Sequence, residues 1–238
     1  MENKDSQQPH PLTLEYNEGK VLLIDKPVGW TSFDVVNKLR YATKAKKVGH
    51  AGTLDPLATG LLIICTGKFT KQIDTYQAQE KEYTGTITLG ATRPSYDTET
   101  EINQEYPWQH ITPEMVLETA KKFTGIIEQI PPAYSAIKVD GKRAYKSARG
   151  GQEVELKPRQ VEVKEFEITG IELPNVHFRV VCSKGTYIRT LAYDFGKALN
   201  SGAYLAALRR IRIGDFRIED AVGVEEFVQK VKETRAEP

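Results

Sequence analysis

The 238-residue chain is poor in the residues that build disulfide frameworks and metal centres. Its only two cysteines, Cys65 and Cys182, lie inside apolar runs, which predicts reduced core thiols and a cytoplasmic protein. No apolar run approaches the roughly 20 residues that a membrane span requires, and the polar N-terminal segment lacks the apolar core of a signal peptide. No metal-ligand spacing relates the four histidines, which are His10, His50, His110 and His177.

Sequence motifs for common cofactors and nucleophiles are also missing. The chain has no phosphate-binding loop and no dinucleotide fingerprint, and sequence alone supports no Ser/His/Asp arrangement. The formal net charge of +1 comes from separate clusters, with basic residues in "TKAKKVGH", "KVDGKRAYKSARGG" and "LRRIRIGDFR" and acidic residues in "SYDTETEINQEY". Such clusters are compatible with a basic face that meets a polyanion, and equally with ordinary solvated charge.

Hydrophobic patterning predicts an α+β fold with a largely antiparallel sheet. Strand patterns such as "KVLLIDKP", "KEYTGTITLG" and "NVHFRVVCSKG" are mixed with helix patterns such as "TSFDVVNKLRYATKAKK", without a regular βαβ repeat. Thr31 or Ser32 is the expected N-cap of that first helix, and Thr186 that of "TYIRTLAYDFGKALN". We expect residues 1–18 to be a flexible leader and residues 19–238 to be a single domain.

The stretch "GHAGTLDPLATG" places one acid, Asp55, among three glycines and beside the apolar run "LLIIC". An aspartate before proline is often simple turn chemistry, because Asx side chains bond to their own backbone. A glycine-punctuated turn beside a buried strand is also a way to hold one carboxylate at a fixed angle in a cleft. Sequence alone leaves both interpretations open.

A second candidate is "KGTYIRT", at the junction of a strand and a helix. Arg189 would lie in the first helical turn, where a cation opposes the helix dipole unless an anion compensates it. Asp55 could be that anion, because a guanidinium binds a carboxylate through two hydrogen bonds, but a solvated arginine is an equal alternative. Taken alone, Tyr83 is typical of sheet packing and His50 of a turn.

Together these segments resemble the TruB family of tRNA pseudouridine synthases. The resemblance runs from about Val21 to Phe216. Five motifs carry it, in the order and at about the spacing of the family: "LLIDKPVGWTSFDVV", "GHAGTLDPLATGLLIICTGKFTK", "KEYTGTITLG", "IEQIPPAYSAIKVDGKRAYKSARGG" and "CSKGTYIRTLAYDFGKAL".

The resemblance implies that residues 19–238 form one catalytic domain with the pseudouridine synthase fold, in which a long, mixed and mostly antiparallel sheet is flanked by helices and has a central catalytic cleft. It also implies isomerisation of the uridine at position 55 in the T arm of tRNA without any cofactor or metal. Asp55 matches the catalytic aspartate, Tyr83 the tyrosine that stacks on the target base, and Arg189 the arginine that pairs with the aspartate. The nucleotide pocket is matched by His50, Tyr187 and Leu208, and its floor by Lys26 with Pro27.

The basic segment near residues 131–151 is expected to be an insertion that clamps the RNA stem through phosphate contacts. Its predicted contact residues are Lys138, Lys142, Arg143, Lys146 and Arg149. We expect the chain to lack the C-terminal PUA-type domain that many family members carry. We therefore expect a monomer with tRNA as its partner, no membrane association and no obligate protein partner. A non-catalytic RNA-binding or RNA-folding protein and a guide-RNA-dependent subunit remain alternatives.

Overall fold

A computed structural model describes residues 10–135, 137–139, 142–143, 150 and 156–236. The chain divides into two compact units. The first comprises Met1–Ala78 and Arg212–Pro238, and the second comprises Gln79–Ile211. Each unit combines strands with helices, so the units are described in turn.

The described residues form six α-helices and fourteen strands, with two short 3₁₀ helices at Gly67–Gln72 and Ile218–Asp220. The helices are Pro11–Glu18 (α1), Ser32–Thr43 (α2), Ile73–Ala78 (α3), Pro113–Lys121 (α4), Ile188–Ala198 (α5) and Val224–Ala236 (α6). The strands are Val21–Lys26 (β1), Val48–His50 (β2), Thr59–Thr66 (β3), Lys81–Leu89 (β4), Ala91–Thr92 (β5), Gln104–Glu105 (β6), Gly125–Gln129 (β7), Lys138–Val139 (β8), Lys142–Arg143 (β9), Arg159–Glu172 (β10), Asn175–Cys182 (β11), Ala203–Ile213 (β12), Phe216–Arg217 (β13) and Val222–Gly223 (β14).

The first unit is built around β3, which is buried on both of its faces. β3 pairs antiparallel with β1 and with β2, while β14 adds to β1 in parallel. Leu62 and Ile64 pack in a cluster with residues of α2 and α6, and Leu61 and Ile63 pack in a second cluster. This two-sided burial explains why the sequence of β3 is a continuous apolar run rather than an alternating one.

Helix α2 begins with a complete capping box. Thr31 accepts a hydrogen bond from the Asp34 amide at 3.1 Å, and Asp34 accepts one from the Thr31 amide at 2.8 Å. The helix ends earlier than the sequence pattern suggests, because Lys44 adopts a left-handed conformation with φ of 55°. The lysines after Thr43 therefore belong to a loop and not to the last helical turn.

The second unit contains five neighbouring strands in the order β12, β4, β11, β10 and β7. The strand pairs β4 with β11, β11 with β10, and β10 with β7 are antiparallel. One face of β11 follows the alternating period of a strand, and every member of that face is buried: Val176, Phe178, Val180 and Cys182. A cluster of aromatic rings closes this core, made of Phe123, Phe166, Phe178 and Phe195.

The predicted α+β class and the mixed, mostly antiparallel sheet flanked by helices are confirmed. Residues 11–18 differ from the flexible leader expected of them, because they form α1, whose Tyr16 is 8% exposed and contacts Phe227 edge to face. The assignment of residues 19–238 to one catalytic domain, with an RNA-clamping insertion and no PUA-type domain, stays a prediction. No helix in the described ranges is long and apolar enough to cross a membrane.

Candidate active site

The turn that carries Asp55 joins β2 to β3 and is fixed by hydrogen bonds on both sides of the acid. Before it, the Leu54 amide donates to Ser32 Oγ at 2.8 Å, and Ser32 Oγ donates to the Leu54 carbonyl at 3.1 Å. After it, the Ala58 amide donates to the Asp55 carbonyl at 3.0 Å, and the Gly29 amide donates to the Pro56 carbonyl at 2.8 Å. Asp55 itself is half-buried, so its backbone is held while its side chain retains access to solvent.

Two glycines of this turn have backbone angles that other residues rarely adopt. Gly52 has φ of 95° and Gly60 has φ of 101°. The flanking apolar residues Ala51, Leu54 and Ala58 are all buried. The predicted glycine-permitted turn beside a buried strand is therefore present, and the sharp bends let apolar and polar residues of one short segment point in different directions.

Lys26, predicted to support the pocket floor, is fully buried. It lies opposite Gly60 in the pairing of β1 with β3. Its Nζ donates to the Pro27 carbonyl at 2.9 Å and to the Trp30 carbonyl at 2.6 Å. The ammonium thus fixes the loop between β1 and α2, whose Gly29 in turn bonds to the turn that holds Asp55.

Arg189 lies in the first turn of α5, and its side chain is 4% exposed. This excludes the solvated-arginine interpretation. Its Nη1 donates to the Ser95 carbonyl at 3.2 Å, and its Nε lies 3.7 Å from Asp97 Oδ2, a carboxylate oxygen on a side chain that is 1% exposed. Asp97 is fixed in turn, because its Oδ1 accepts from the Glu99 amide at 2.9 Å.

Asp97 is a candidate site residue, next to Arg189, that the sequence patterns do not indicate. In the sequence, "SYDTETEINQEY" is simply a stretch rich in acidic residues, whereas in the structure its Ser95 and Asp97 are buried. The one signal in the sequence for such an acid is Arg189 in the first turn of a helix. A cation there opposes the helix dipole, so a nearby anion is favourable. Nothing in a single sequence indicates which of the many acids supplies it.

Tyr187 precedes α5 as its N-cap residue, and it has an extended backbone. Thr186, the predicted cap, does not cap the helix. Its Oγ1 donates to the Ser183 carbonyl at 3.0 Å instead. The position of Tyr187 is set by Gln129, whose side-chain amide donates to the Tyr187 carbonyl at 3.2 Å and accepts from the Tyr187 amide at 3.0 Å. The Arg159 guanidinium lies 4.7 Å from the centre of the Tyr187 ring.

Tyr83 and Leu208 lie on neighbouring strands of the second unit, β4 and β12, and each is 9% exposed. Tyr83 stands opposite Val180 in the pairing with β11. The structure thus brings Arg189 together with Asp97 in the second unit and gives Asp55 a rigid support in the first. The roles of Asp55, Tyr83, Arg189, His50, Tyr187, Leu208 and Lys26, and the pairing of Asp55 with Arg189, stay predictions.

The structure describes three of the five residues predicted to clamp the RNA. Lys138 lies in β8 and Lys142 and Arg143 lie in β9, and the two short strands pair antiparallel as a hairpin. Lys146 and Arg149 lie outside the described residues. Within the described ranges, no group of three or more His, Cys, Asp or Glu side chains could hold a metal ion.

Residues 40–188 match the model of the TruB family pseudouridylate synthase N-terminal domain, and residues 189–237 match the tRNA pseudouridylate synthase B C-terminal domain. The chain belongs to the TruB family. The first TruB match contains Asp55, Tyr83 and Tyr187, and the second begins at Arg189.

TruB relatives resemble the chain over almost their whole length. The tRNA pseudouridine synthase B of Flavobacterium johnsoniae is 57% identical over 225 residues, which cover 92% of this chain and 98% of the relative. That of Bacteroides fragilis is 54% identical over 230 residues, covering 94% and 99%. That of Chlorobaculum tepidum is 48% identical over 224 residues, covering 92% of each.

Solved structures agree on the fold. The crystal structure of a Cbf5-Nop10-Gar1 complex contains a chain with a TM-score of 0.71 and 29% identity, matched over 96% of this chain. The structure of an H/ACA RNP bound to a substrate RNA containing 2'-deoxyuridine gives 0.68 and 27%. This chain spans about 60% of the length of those two structural relatives.

Proposed function

We propose that this chain isomerises a uridine of tRNA, at position 55 in the T arm, to pseudouridine, and that it acts alone. The observation that carries the proposal is the match of more than 90% of the chain to relatives named tRNA pseudouridine synthase B. The matched region includes the turn that carries Asp55 and the buried Arg189. The motifs assign these two residues the roles of catalytic aspartate and of the arginine that pairs with it.

The chemistry requires no redox partner and no imported group. The bond from C1′ of the ribose to N1 of uracil breaks, the ring turns, and a bond forms from C1′ to C5. N1 gains a proton and C5 loses one, so atoms and electrons balance within the nucleotide. The protein therefore needs to extrude the base, retain the detached ring and move protons, and side chains alone can do all three.

Asp55 is proposed to act at the sugar–base junction, either as a nucleophile or by assisting departure of the base. A fixed backbone on both sides of the acid supports this role, since a reacting group must be held close to its productive position. Arg189 would favour the ionised carboxylate of Asp55, because an adjacent cation opposes the effect of burial. Asp97 is a positioning residue in this scheme, since it holds the guanidinium from one side.

Tyr83 is proposed to stack on the extruded base and to accept the proton that leaves C5. Unstacking a base costs a few kcal/mol, and an aromatic face returns much of that. Leu208 and Tyr187 would supply an apolar lining that retains the detached ring, with His50 beside them. Lys26 supports this lining from below through the loop that it holds.

The proposed RNA contacts lie on the hairpin of β8 and β9 and the residues that follow it. Lys138, Lys142 and Arg143, together with Lys146 and Arg149, would bind phosphates, which position the RNA without reading its bases. The tRNA is thus the proposed partner, with no obligate protein partner and a monomeric, cytoplasmic enzyme.

The guide-RNA-dependent alternative has a specific observation behind it, namely the structural match to the chain of a Cbf5-Nop10-Gar1 complex. One experiment separates the two. The purified chain is incubated with tRNA labelled with tritium at C5 of uridine, with no guide RNA or second protein, and released tritium is counted. Release in proportion to time supports the standalone enzyme, and release only after guide RNA is added supports the alternative. No release under either condition would remove the catalytic proposal.

A further inference from the structure

The outer face of α2 carries exposed aromatic and basic side chains that the proposed site does not use. Tyr41 is 86% exposed and Phe33 is 65% exposed. Phe33, Asn37 and Tyr41 are spaced by four residues, so they share one face of the helix, opposite the buried Val35 and Leu39. We use the name α2 surface for five residues that lie on this side of α2 or directly after the helix: Asn37, Arg40, Tyr41, Lys44 and Lys46.

The α2 surface is concave. Its five residues, with Ala45, line a cavity of about 600 Å³. This volume lies within the range typical of sites for small molecules or parts of larger ligands. The lining therefore contains three cationic side chains, of Arg40, Lys44 and Lys46, and the exposed aromatic ring of Tyr41.

The three cations of this surface form no ion pair with any acid that the structure describes. Among the residues that the structure describes, no carboxylate lies within 4.0 Å of the charged groups of Arg40, Lys44 or Lys46. Other lysines of the same unit are paired, such as Lys38 with Glu225 at 2.9 Å and Lys68 with Glu18 at 2.5 Å. Neighbouring cations without a local anion create a positive potential that attracts an external anion.

The backbone that carries these cations is held rigidly. The Lys44 amide donates to the Arg40 carbonyl at 2.9 Å, and the Lys46 amide donates to Asn17 Oδ1 at 2.8 Å. The Arg235 guanidinium donates to the Thr43 carbonyl at 2.8 Å. A fixed backbone lowers the entropy that is lost when a ligand orders the side chains, as in a preorganised binding site.

We propose that the α2 surface is a second RNA-binding site, which binds phosphates of the substrate tRNA away from the flipped nucleotide and stacks Tyr41 on a base or ribose. Unpaired cations beside an exposed ring match the two chemical groups that RNA repeats along its length, phosphate and base. The identity of the RNA rests on the proposed function. None of the residues of this site belongs to the hairpin of β8 and β9.

Charge reversal tests this site. The double variant Arg40→Glu with Lys46→Glu alters the surface and leaves Lys44, whose left-handed backbone ends α2, unchanged. We expect the Kd for tRNA to rise about tenfold or more in moderate salt. The slope of log Kobs against log salt should become shallower by about 1.5, because two phosphate contacts are lost. The loss should fall on KM, with kcat at saturating tRNA changed by no more than about twofold.

A matched control carries the same change of charge elsewhere on this unit. Lys230→Glu with Lys232→Glu alters two exposed positions of α6, where Lys230 forms only an exposed pair with Glu226. Equal Kd values and equal salt slopes for the two double variants would overturn the proposal, and an acidic protein partner would then explain the surface better. Tyr41→Phe should retain the affinity and Tyr41→Ser should lower it, and equal affinities for these two would contradict the stacking.

The two proposals fail in distinguishable ways. If the wild-type chain forms no pseudouridine but the Arg40 and Lys46 variant still loses affinity for tRNA, the proposed catalysis is wrong and the RNA site stands. If the wild type is active and the variant binds tRNA as the control does, only the RNA site is wrong.

Discussion

At the scale of single residues, the cost of burying a charge determines how the site is built. Arg189 is 4% exposed, and a guanidinium at that depth needs partners that satisfy both its charge and its donors. The structure supplies the Asp97 carboxylate and the Ser95 carbonyl. Removing one partner of a buried ion pair costs more than the pair itself contributes, since the other charge is left without compensation.

Asp97→Asn tests this arrangement, because it removes the charge while retaining the shape. We expect the free energy of unfolding to fall by about 2–4 kcal/mol in urea titrations. We expect kcat to fall at least tenfold, with the Kd for tRNA unchanged. Glu99→Gln at the exposed neighbouring position is the control. Turnover of Asp97→Asn within twofold of the parent would show that Asp97 does not position Arg189.

Tyr83→Phe separates stacking from proton transfer. The substitution retains the ring and removes the hydroxyl, so the affinity for tRNA should be retained. If the hydroxyl accepts the proton from C5, turnover falls by about 10²-fold or more. Tyr83→Leu should impair both properties. A Phe variant with near-normal turnover would leave Tyr83 as a stacking surface only.

Lys81 gives a prediction about pH. Burial and the nearby Arg210 lower the pKa of the Lys81 ammonium to about 8, from 10.5 in the unfolded chain. Between these two values the unfolded state binds more protons than the folded state, so this residue makes stability rise with pH. Relative to Lys81→Met, the free energy of unfolding of the wild type should rise by about 1–2 kcal/mol from pH 7.5 to pH 9.5. Parallel pH profiles of the two proteins would contradict this.

The sequence predicted well which side chains are buried, and predicted poorly which other residues they contact. Val176, Phe178 and Val180 follow the period of a strand, and this period alone assigns them to the core. Asp97 carries no such pattern, because its burial depends on a helix that begins some 90 residues later in the chain. Motif matching identified Arg189, whereas only the fold shows that Asp97 is its neighbour.

At the scale of elements, the turn between β2 and β3 has a backbone conformation that favours glycine and is fixed by hydrogen bonds. Gly52 has φ of 95°, which residues with a side chain rarely adopt. Ser32 holds the turn from the first turn of α2 by two hydrogen bonds to Leu54. The orientation of Asp55 therefore depends both on the turn itself and on helix α2.

Gly52→Ala tests the importance of that backbone. We expect a loss of about 1–2 kcal/mol in the free energy of unfolding, because a Cβ at this angle is strained. We also expect kcat to fall at least tenfold, because the turn shifts. Gly223→Ala is the matched control, since a Cβ there would meet no atom within 4 Å and should leave both properties nearly unchanged. Equal effects of the two substitutions would show that the turn geometry is unimportant.

Element types were predictable from the sequence, whereas several element ends were not. Local chemistry predicted an N-cap at Thr31 or Ser32, and the structure has it at Thr31. It did not predict the C-terminus of α2, because Lys44 takes up a left-handed conformation that usually favours glycine or asparagine. The hydrogen bonds that hold the following loop come from Asn17 and Arg235, far away in sequence, and a local pattern contains no sign of them.

At the scale of the whole molecule, the residues proposed for catalysis come from separate parts of the chain. Asp55 belongs to one compact unit, while Tyr83 and Arg189 belong to the other. The proposed RNA contacts also come from both units, through the hairpin of β8 and β9 and through the α2 surface. Catalytic and binding losses should therefore be separable by substitution, with the chemistry depending on Asp55 above all.

Asp55→Asn in a single-turnover assay tests this account most directly. The enzyme is held in excess over tRNA labelled at C5, and tritium release, tRNA affinity and melting temperature are all measured. Asparagine nearly matches aspartate in size, so the melting temperature should change by only a few degrees and the Kd by less than about tenfold. The rate should fall by at least about 10⁴, equivalent to roughly 5.5 kcal/mol of barrier. A variant that forms pseudouridine at more than a few per cent of the parent rate would remove Asp55 from the mechanism.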